Sequence, residues 1–286
     1  VKIFLVILLL LESAYFLWTE TTSIEVSLQA VGNPALANVL HNARVAQVSD
    51  FHFSGDSRRA QKLEATLLRL NPDIILVTGD LISDNGGIDT CAQLLGRLAR
   101  HKIVITALGN NDHPYGSKVI DTRLLVDSLR RNGVYVLVNQ AAIINIDGAP
   151  APLYVVGLDD NFLMLDDYFA AMENVPPDAT KILLAHAPNI VEKINTRYFS
   201  LVLCGHTHGG QLIVPFAGAI YTNPTFKAKR KFVSGLYDGK LYVNRGIGTA
   251  IIPLRLFCRP EITLFPICGE GCQEILKDES QGGEQE

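Results

Sequence analysis

The sequence predicts an α/β protein: two packed sheets with helices on the outside. Three observations carry that expectation. Apolar β-like runs alternate with helical stretches from residue 44 to residue 131. From 134 onward, short apolar runs are separated by Gly, Pro and Asn. Polar side chains follow several of the runs, and the carboxyl ends of strands are where open α/β sheets build their sites. With 286 residues, 48% of them hydrophobic, the chain can bury a large core, and one domain of about 230–250 residues is expected. The formal net charge of −4 argues against a general nucleic-acid-binding surface, which would be basic.

Taken in order, Ile3 to Trp18 is almost wholly apolar, broken by Glu12 and Ser13, with Lys2 ahead of it. Its sixteen residues fall slightly short of the roughly 20 that span a bilayer. Tyr15 and Trp18 suit an interfacial position. No small-residue cleavage site follows, so residues 1–18 read as an uncleaved membrane anchor. Lys2 on the cytoplasmic side would place the remainder outside the cytoplasm. Residues 19–43 read as a linker, 44–268 as the domain, and the Glu- and Gly-rich 269–286 as a mobile tail.

Within the domain, Ser57 to Leu70 places Leu63, Leu67 and Leu70 on one helical face, with Ser57 as a cap and Pro72 beyond the end. Ile88 to Arg100 and Lys118 to Arg131 are the second and third helices, the latter ended by Asn132-Gly133. Runs at 134–138, 141–146, 153–157, 211–214, 231–236, 240–243 and 261–265 read as strands. Phe162 to Leu165 reads as the start of a core helix, with an acyl-group lining as the alternative. Of the five cysteines, Cys204 belongs to a core strand, whereas Cys258, Cys268 and Cys272 can include a disulfide.

Five strand ends carry side chains able to bind metal. Asp50-Phe51-His52 follows 44–49, and residues two apart in an extended segment point the same way. Gly79-Asp80 follows 74–78, and Gly109-Asn110-Asn111-Asp112-His113 follows 103–108. His186 follows 181–185. Gly205-His206-Thr207-His208-Gly209-Gly210 follows 201–204. Each piece alone has an ordinary reading as a turn, a cap or a satisfied histidine. Together they place carboxylates, carboxamides and imidazoles in one recurrent context. That mixed N/O set suits first-row divalent ions better than thiolate-loving ones.

This ordered series resembles the signature of the calcineurin-like metallophosphoesterases, over about Val45 to Phe265. The stretches 205–211, 244–249 and 259–262 resemble its bacterial membrane-associated branch, which includes enzymes that cleave the pyrophosphate of UDP-diacylglucosamine. The resemblance implies a four-layer αββα sandwich of two mixed sheets flanked by helices. It also implies two divalent ions, manganese first, with zinc or iron as alternatives. Asp50, His52, Asp80 and His208 would hold one ion; Asp80, Asn110, His186 and His206 would hold the other. Two such ions about 3.5–4 Å apart can share a hydroxide and clamp a phosphoryl group.

Asp80, Asn110, Asn111 and His113 are the implied catalytic set, with one departure. The family usually has His where this chain has Asn111. An amide donates a hydrogen bond but no proton near neutral pH. His113 either substitutes for it or is a surface loop residue before Pro114. The implied activity is hydrolysis of a phosphodiester or pyrophosphate with a good leaving group, in a lipid or lipid-linked nucleotide. A phosphomonoesterase, including a protein phosphatase, and an inactive metal-bound scaffold are the alternatives. The cluster Lys227, Lys229, Arg230 and Lys231, flanked by Phe226 and Phe232, reads as a solvated loop or a lipid-facing patch. Arg245, Arg255 and Arg259 read as phosphate-binding or as structural ion pairs.

Overall fold

The computed structural model describes residues 2–55, 57–219, 232–250 and 252–269, of which 2–10 and Ser57 are described by backbone alone. The basic cluster at 227–231, the tail beyond Gly269 and the capping role of Ser57 therefore lie outside what is described.

The chain opens with α1 (Lys2–Thr22), β1 (Glu25–Leu28), β2 (Val31–Gly32) and α2 (Pro34–Leu40). The first alternating half follows: β3 (Val45–Val48), α3 (Ser57–Leu70), β4 (Ile74–Thr78), α4 (Gly87–Ala99), β5 (Ile103–Ala107), α5 (Thr122–Arg131) and β6 (Tyr135–Val136). The second half comprises β7 (Gln140–Ile144), β8 (Leu153–Gly157), α6 (Tyr168–Met172), β9 (Lys181–Leu184) and β10 (Leu201–Cys204). It ends with β11 (Ile213–Val214), β12 (Gly218–Ala219), β13 (Gly235–Tyr237), β14 (Leu241–Val243), β15 (Glu261–Phe265) and β16 (Ile267–Cys268).

Two six-stranded mixed sheets result, ordered β1-β15-β3-β4-β5-β6 and β13-β14-β10-β9-β8-β7. β3, β4, β5 and β6 run parallel, and β15 enters antiparallel beside β3. β8, β9, β10 and β14 are likewise parallel, with β7 and β13 antiparallel at the edges. Side chains alternate between faces along each strand. Ile75 and Val77 of β4 pack under the helices with Leu63, Leu67, Leu94 and Leu125. Ile74 and Leu76 face the other sheet, against Ile182, Leu184, Leu201 and Leu203. Leu183 and Val202 pack outward with Ala171, Ile190 and Phe199. Helices, sheet, sheet and helices thus form four layers. The central strands are buried on both faces, which is why they read as unbroken apolar runs.

The segment 19–43, expected as a linker, is instead built into the sandwich. α1 continues to Thr22, and Glu20 near its end is buried against Arg259, 2.6 Å away. β1 pairs in parallel with β15, Glu25 opposite Glu261. Asn33 caps α2 by accepting from the Leu36 amide at 2.9 Å, with Pro34 in the first turn. Leu36 and Leu40 enter the layer between the sheets. The third helix begins at Thr122 rather than Lys118, because Asp121 caps it through the Leu124 amide and 115–118 form a tight turn instead. Cys268 is disulfide-bonded, whereas Cys91, Cys204 and Cys258 are free and buried. Among the described residues, no helix is long and apolar enough to cross a membrane.

Leu36 gives a direct check on the role of α2. Leu36→Ala should lower unfolding stability by about 2–5 kcal/mol, as other fully buried leucines do. Denaturant titration measures it. A change under about 0.5 kcal/mol, the size of an ordinary surface substitution, would mean that 25–40 is dispensable to the core.

Candidate metal centre

Strand ends of both sheets meet along one seam. Asp50 and His52 follow β3, Asp80 follows β4, and Asn110 and Asn111 follow β5; His186 follows β9, and His206 and His208 follow β10. Two groups of ligand atoms form there, Asp50/His52/His208 and Asp80/His186/His206, the atoms within each lying within 4.8 Å of one another. His52 Nε2 and His208 Nε2 are 3.0 Å apart, and His208 Nε2 is 3.4 Å from Asp50 Oδ1. In the second group, His206 Nδ1 is 3.0 Å from His186 Nε2, itself 3.3 Å from Asp80 Oδ2. The same Asp80 oxygen is 3.5 Å from His52 Nε2, so this carboxylate stands between the groups. The buried Asn110 Oδ1 has no hydrogen-bond partner. Nitrogens facing each other at this spacing suit two donors about 2.0–2.1 Å from one ion. An orphaned carboxamide oxygen is a further vacant donor. The residues present therefore fit a pair of divalent cations.

The backbone is bent hard to achieve this. Asp50, His52, Asp80, His206 and His208 all have φ between 50° and 69°, a left-handed conformation that costs side-chain-bearing residues of order 1 kcal/mol each. Two close approaches demand glycine. A Cβ on Gly109 would collide with the backbone and carboxylate of Asp80 and with His186, and one on Gly205 with Ser49 and Asp50. Hydrogen bonds hold the bends. The His206 amide donates to both Asp50 oxygens at 3.0 and 3.1 Å, and the Ile247 and Gly248 amides donate to the Ser49 and Asp50 carbonyls. Buried Asp112 accepts from the Gly109, Leu81 and Ile82 amides, clamping the Asn110 turn onto the Asp80 loop. His186 Nδ1 lies 2.7 Å from the Thr78 carbonyl. It must donate there, which leaves Nε2 as the lone-pair nitrogen facing Asp80 whenever the ring is neutral.

The electrostatics set most of the imidazoles up as ligands. Burial pushes His52 down to about 4 and, with the charge of His186, pushes His206 down to about 3. Burial, then His52 and Arg255, hold His208 well below its ordinary range. Those three rings are neutral near pH 7. Burial would also depress His186, but the Asp80 carboxylate outweighs it and holds His186 well above the ordinary value. Asp80 in turn lies well below the usual carboxylate range: burial raises it, and the charge and hydrogen bond of His186 prevail. Burial, against the pull of His186, leaves Asp50 at about 6. Without metal, the seam is thus an Asp80–His186 ion pair among neutral rings.

Other candidates land differently. Asn111 donates its amide and its Nδ2 to the two Asp80 oxygens, each at 2.7 Å. His113 is a buried residue, not a surface loop one, and its Nε2 lies 2.7 Å from Asp159 Oδ1. Burial lowers its pKa, but the Asp159 bond more than offsets this and raises it. Its ring is therefore committed to Asp159. The three arginines serve the scaffold. Arg245 pairs with Glu25 and Glu261, and Arg259 with Glu20. Arg255, fully buried, donates to the carbonyls of Arg245, Gly246, Gly248 and Cys258. Phe162 to Leu165 form a turn rather than a core helix. The Phe162 ring lies 5.2 Å from that of His206 and 6.1 Å from that of Tyr115, with Met164 and Leu165 exposed beside it. The turn follows from Asp160, whose carboxylate takes the Leu163 amide at 2.6 Å. Lys118, read from the sequence as helical, sits at the seam and donates to Asn111 Oδ1.

Residues 43–210 match the calcineurin-like phosphoesterase family. The Bacillus subtilis metallophosphoesterase YkuE is 31% identical over 88% of this chain and 88% of its own length. The Escherichia coli phosphodiesterase YaeI is 30% identical over 78% of this chain and 82% of its own. A zebrafish (Danio rerio) transmembrane protein with a metallophosphoesterase domain is 29% identical over 80% of this chain and 54% of its own. The chain belongs to the calcineurin-like phosphoesterases and is a metal-dependent phosphoester hydrolase.

Proposed function

We propose that the protein hydrolyses a phosphodiester or pyrophosphate bond in a lipid or lipid-linked nucleotide. The observation that carries the reading is the placement of Asp80 between two ligand groups. Asp50, His52 and His208 would hold one ion, and Asn110, His186 and His206 the other, with Asp80 shared. Manganese is the ion we favour, since every donor is nitrogen or oxygen. When bound, such a pair supplies Lewis acidity and lowers the pKa of water.

The chain's own residues do the rest. Asn111 fixes both Asp80 oxygens through its amide and side-chain N–H groups, and it brings no acidic proton to a leaving oxygen. That supports esters with good leaving groups, and similarity to a relative named a phosphodiesterase supports a diester. The rings of Tyr115 and Phe162, the latter 5.2 Å from that of His206, supply an apolar edge that supports a lipid or aryl group beside the phosphate. We further propose that 25–268 is the catalytic domain and that α1 brings it to a membrane. Tyr15, Phe16 and Trp18 are exposed, and Phe16 packs on exposed Phe257.

With Mn²⁺ added, the protein should turn over bis-p-nitrophenyl phosphate, and Asp80→Ala should cut the rate at least about a hundredfold. Turnover of monoesters alone would indicate a phosphomonoesterase, and no metal-dependent turnover an inactive scaffold. An aryl diester should react faster than an alkyl one, and equal rates would count against the leaving-group argument.

Metal binding should also be coupled to protons. His186 is protonated in the metal-free state and must lose its proton to become a ligand. Asp50, at about 6, takes up a proton as pH falls, so affinity should drop below about pH 6 and rise above it. Calorimetric Mn²⁺ titrations in buffers of different ionisation heat will show release of a proton near pH 7. Proton-neutral binding with affinity flat across this range would contradict the assignment.

A further inference from the structure

The geometry points to Lys118 as the cation that meets the substrate's phosphate and leaving oxygen, in the role that Asn111 cannot fill. This inference rests on the hydrolase reading and deepens it.

Four observations converge. First, the Lys118 ammonium donates to Asn111 Oδ1, while Asn111 Nδ2 donates to Asp80 Oδ2. The ammonium is therefore two hydrogen bonds from the carboxylate at the middle of the seam. Second, the carboxamide it meets is itself fixed at the seam: the Asn111 backbone amide also donates to Asp80, at Oδ1 and 2.7 Å. Third, Lys118 is exposed, and none of the ion pairs among the described residues involves it. Among those residues it has no carboxylate to neutralise, and it is open to an incoming anion. Fourth, its backbone is held in place. The Lys118 amide donates to the Tyr115 carbonyl at 3.0 Å across a turn that uses Gly116 at φ +61°. Asn85 then ties down the Val119 carbonyl and the Asp121 amide. Tyr115, on the other arm of this turn, reaches Phe162 and so the His206 side. One short turn thus presents a cation and an aromatic ring at the mouth of the same site.

The chemistry explains why a cation belongs there. Charge develops on the leaving oxygen as the P–O bond breaks, and a preorganised donor aimed at it stabilises the transition state more than the ground state. A histidine at 111 would supply that charge from its own ring. Here the shorter, neutral side chain holds an ammonium one hydrogen bond further out. A Lys serves as a point charge for phosphate oxygens.

Three variants of the full chain test this: Lys118→Met, which keeps length and removes charge, Lys118→Arg, which restores charge, and Asn111→His in the Lys118→Met background. With Mn²⁺ bound, inorganic phosphate should bind about tenfold more weakly to Lys118→Met, with Lys118→Arg close to wild type. The rate loss in Lys118→Met should grow as the leaving group worsens, from about tenfold for p-nitrophenyl diesters to about a hundredfold or more for alkyl ones. Asn111→His should recover part of the alkyl-diester rate. A residue that only positions Asn111 would slow all esters by one factor. That uniform loss, with unchanged phosphate affinity, would overturn the inference. Wild-type protein without metal-dependent turnover would sink the hydrolase reading alone, and the phosphate titration would still decide the role of Lys118.

Discussion

The structure depends on the crowding of ligand-type atoms where the two sheets meet. Imidazole nitrogens face one another at 3.0 Å in two places, beside the buried carboxylates of Asp50 and Asp80. Burying such groups is costly unless charge and hydrogen-bonding capacity are matched. Protein groups supply only part of that match. The Asp80–His186 pair offsets some of the charge, the His206 backbone amide caps both Asp50 oxygens, and Asn110 Oδ1 is left without a partner. A pair of cations would complete it, which is the sense in which this seam is built for metal before any metal arrives.

The rest of the fold keeps the seam open. Hydrogen bonds tie the strand ends together within the first sheet and across to the second: Gln47 Nε2 donates to Thr78 Oγ1 and across to the Cys204 carbonyl, and the Thr78 hydroxyl donates to that of Ser49. The segments 244–250 and 252–261 wrap the histidine turn. Gln211 donates to the Ile252 and Leu254 carbonyls, and Arg255 donates to the Arg245 and Gly248 carbonyls before it and the Cys258 carbonyl after it. These buried polar bonds hold five ligand-type residues in a left-handed backbone that a relaxed chain would leave.

Much of this was legible in the sequence because strand-end chemistry is local. Each of Asp50, His52, Asp80, Asn110, His186, His206 and His208 lies within four residues of the end of an apolar strand, so a run read as a strand places a metal-capable side chain. The four layers were expected from the alternation and the family resemblance, whereas the particular side chains that meet between the layers are a long-range outcome. The segment 19–43 was misread because β1 is half exposed and α2 only seven residues long, although Asn33-Pro34 is a helix-start signal. His113 and Phe162–Leu165 failed for a shared reason. A loop residue's partner, Asp159 for one and the His206 ring for the other, is distant in sequence and leaves no periodic trace. Lys118 was absorbed into a helix because the charge pattern of 118–131 is helical, while Asp121 marks the true start.

The most direct measurement is anomalous scattering from a crystal of the protein soaked in Mn²⁺. The account predicts two peaks about 3.5–4 Å apart, one on either side of the Asp80 carboxylate. One would be ringed by Asp50, His52 and His208, the other by Asn110, His186 and His206. No peak at saturating manganese, or peaks that leave Asp80 unligated, would contradict it.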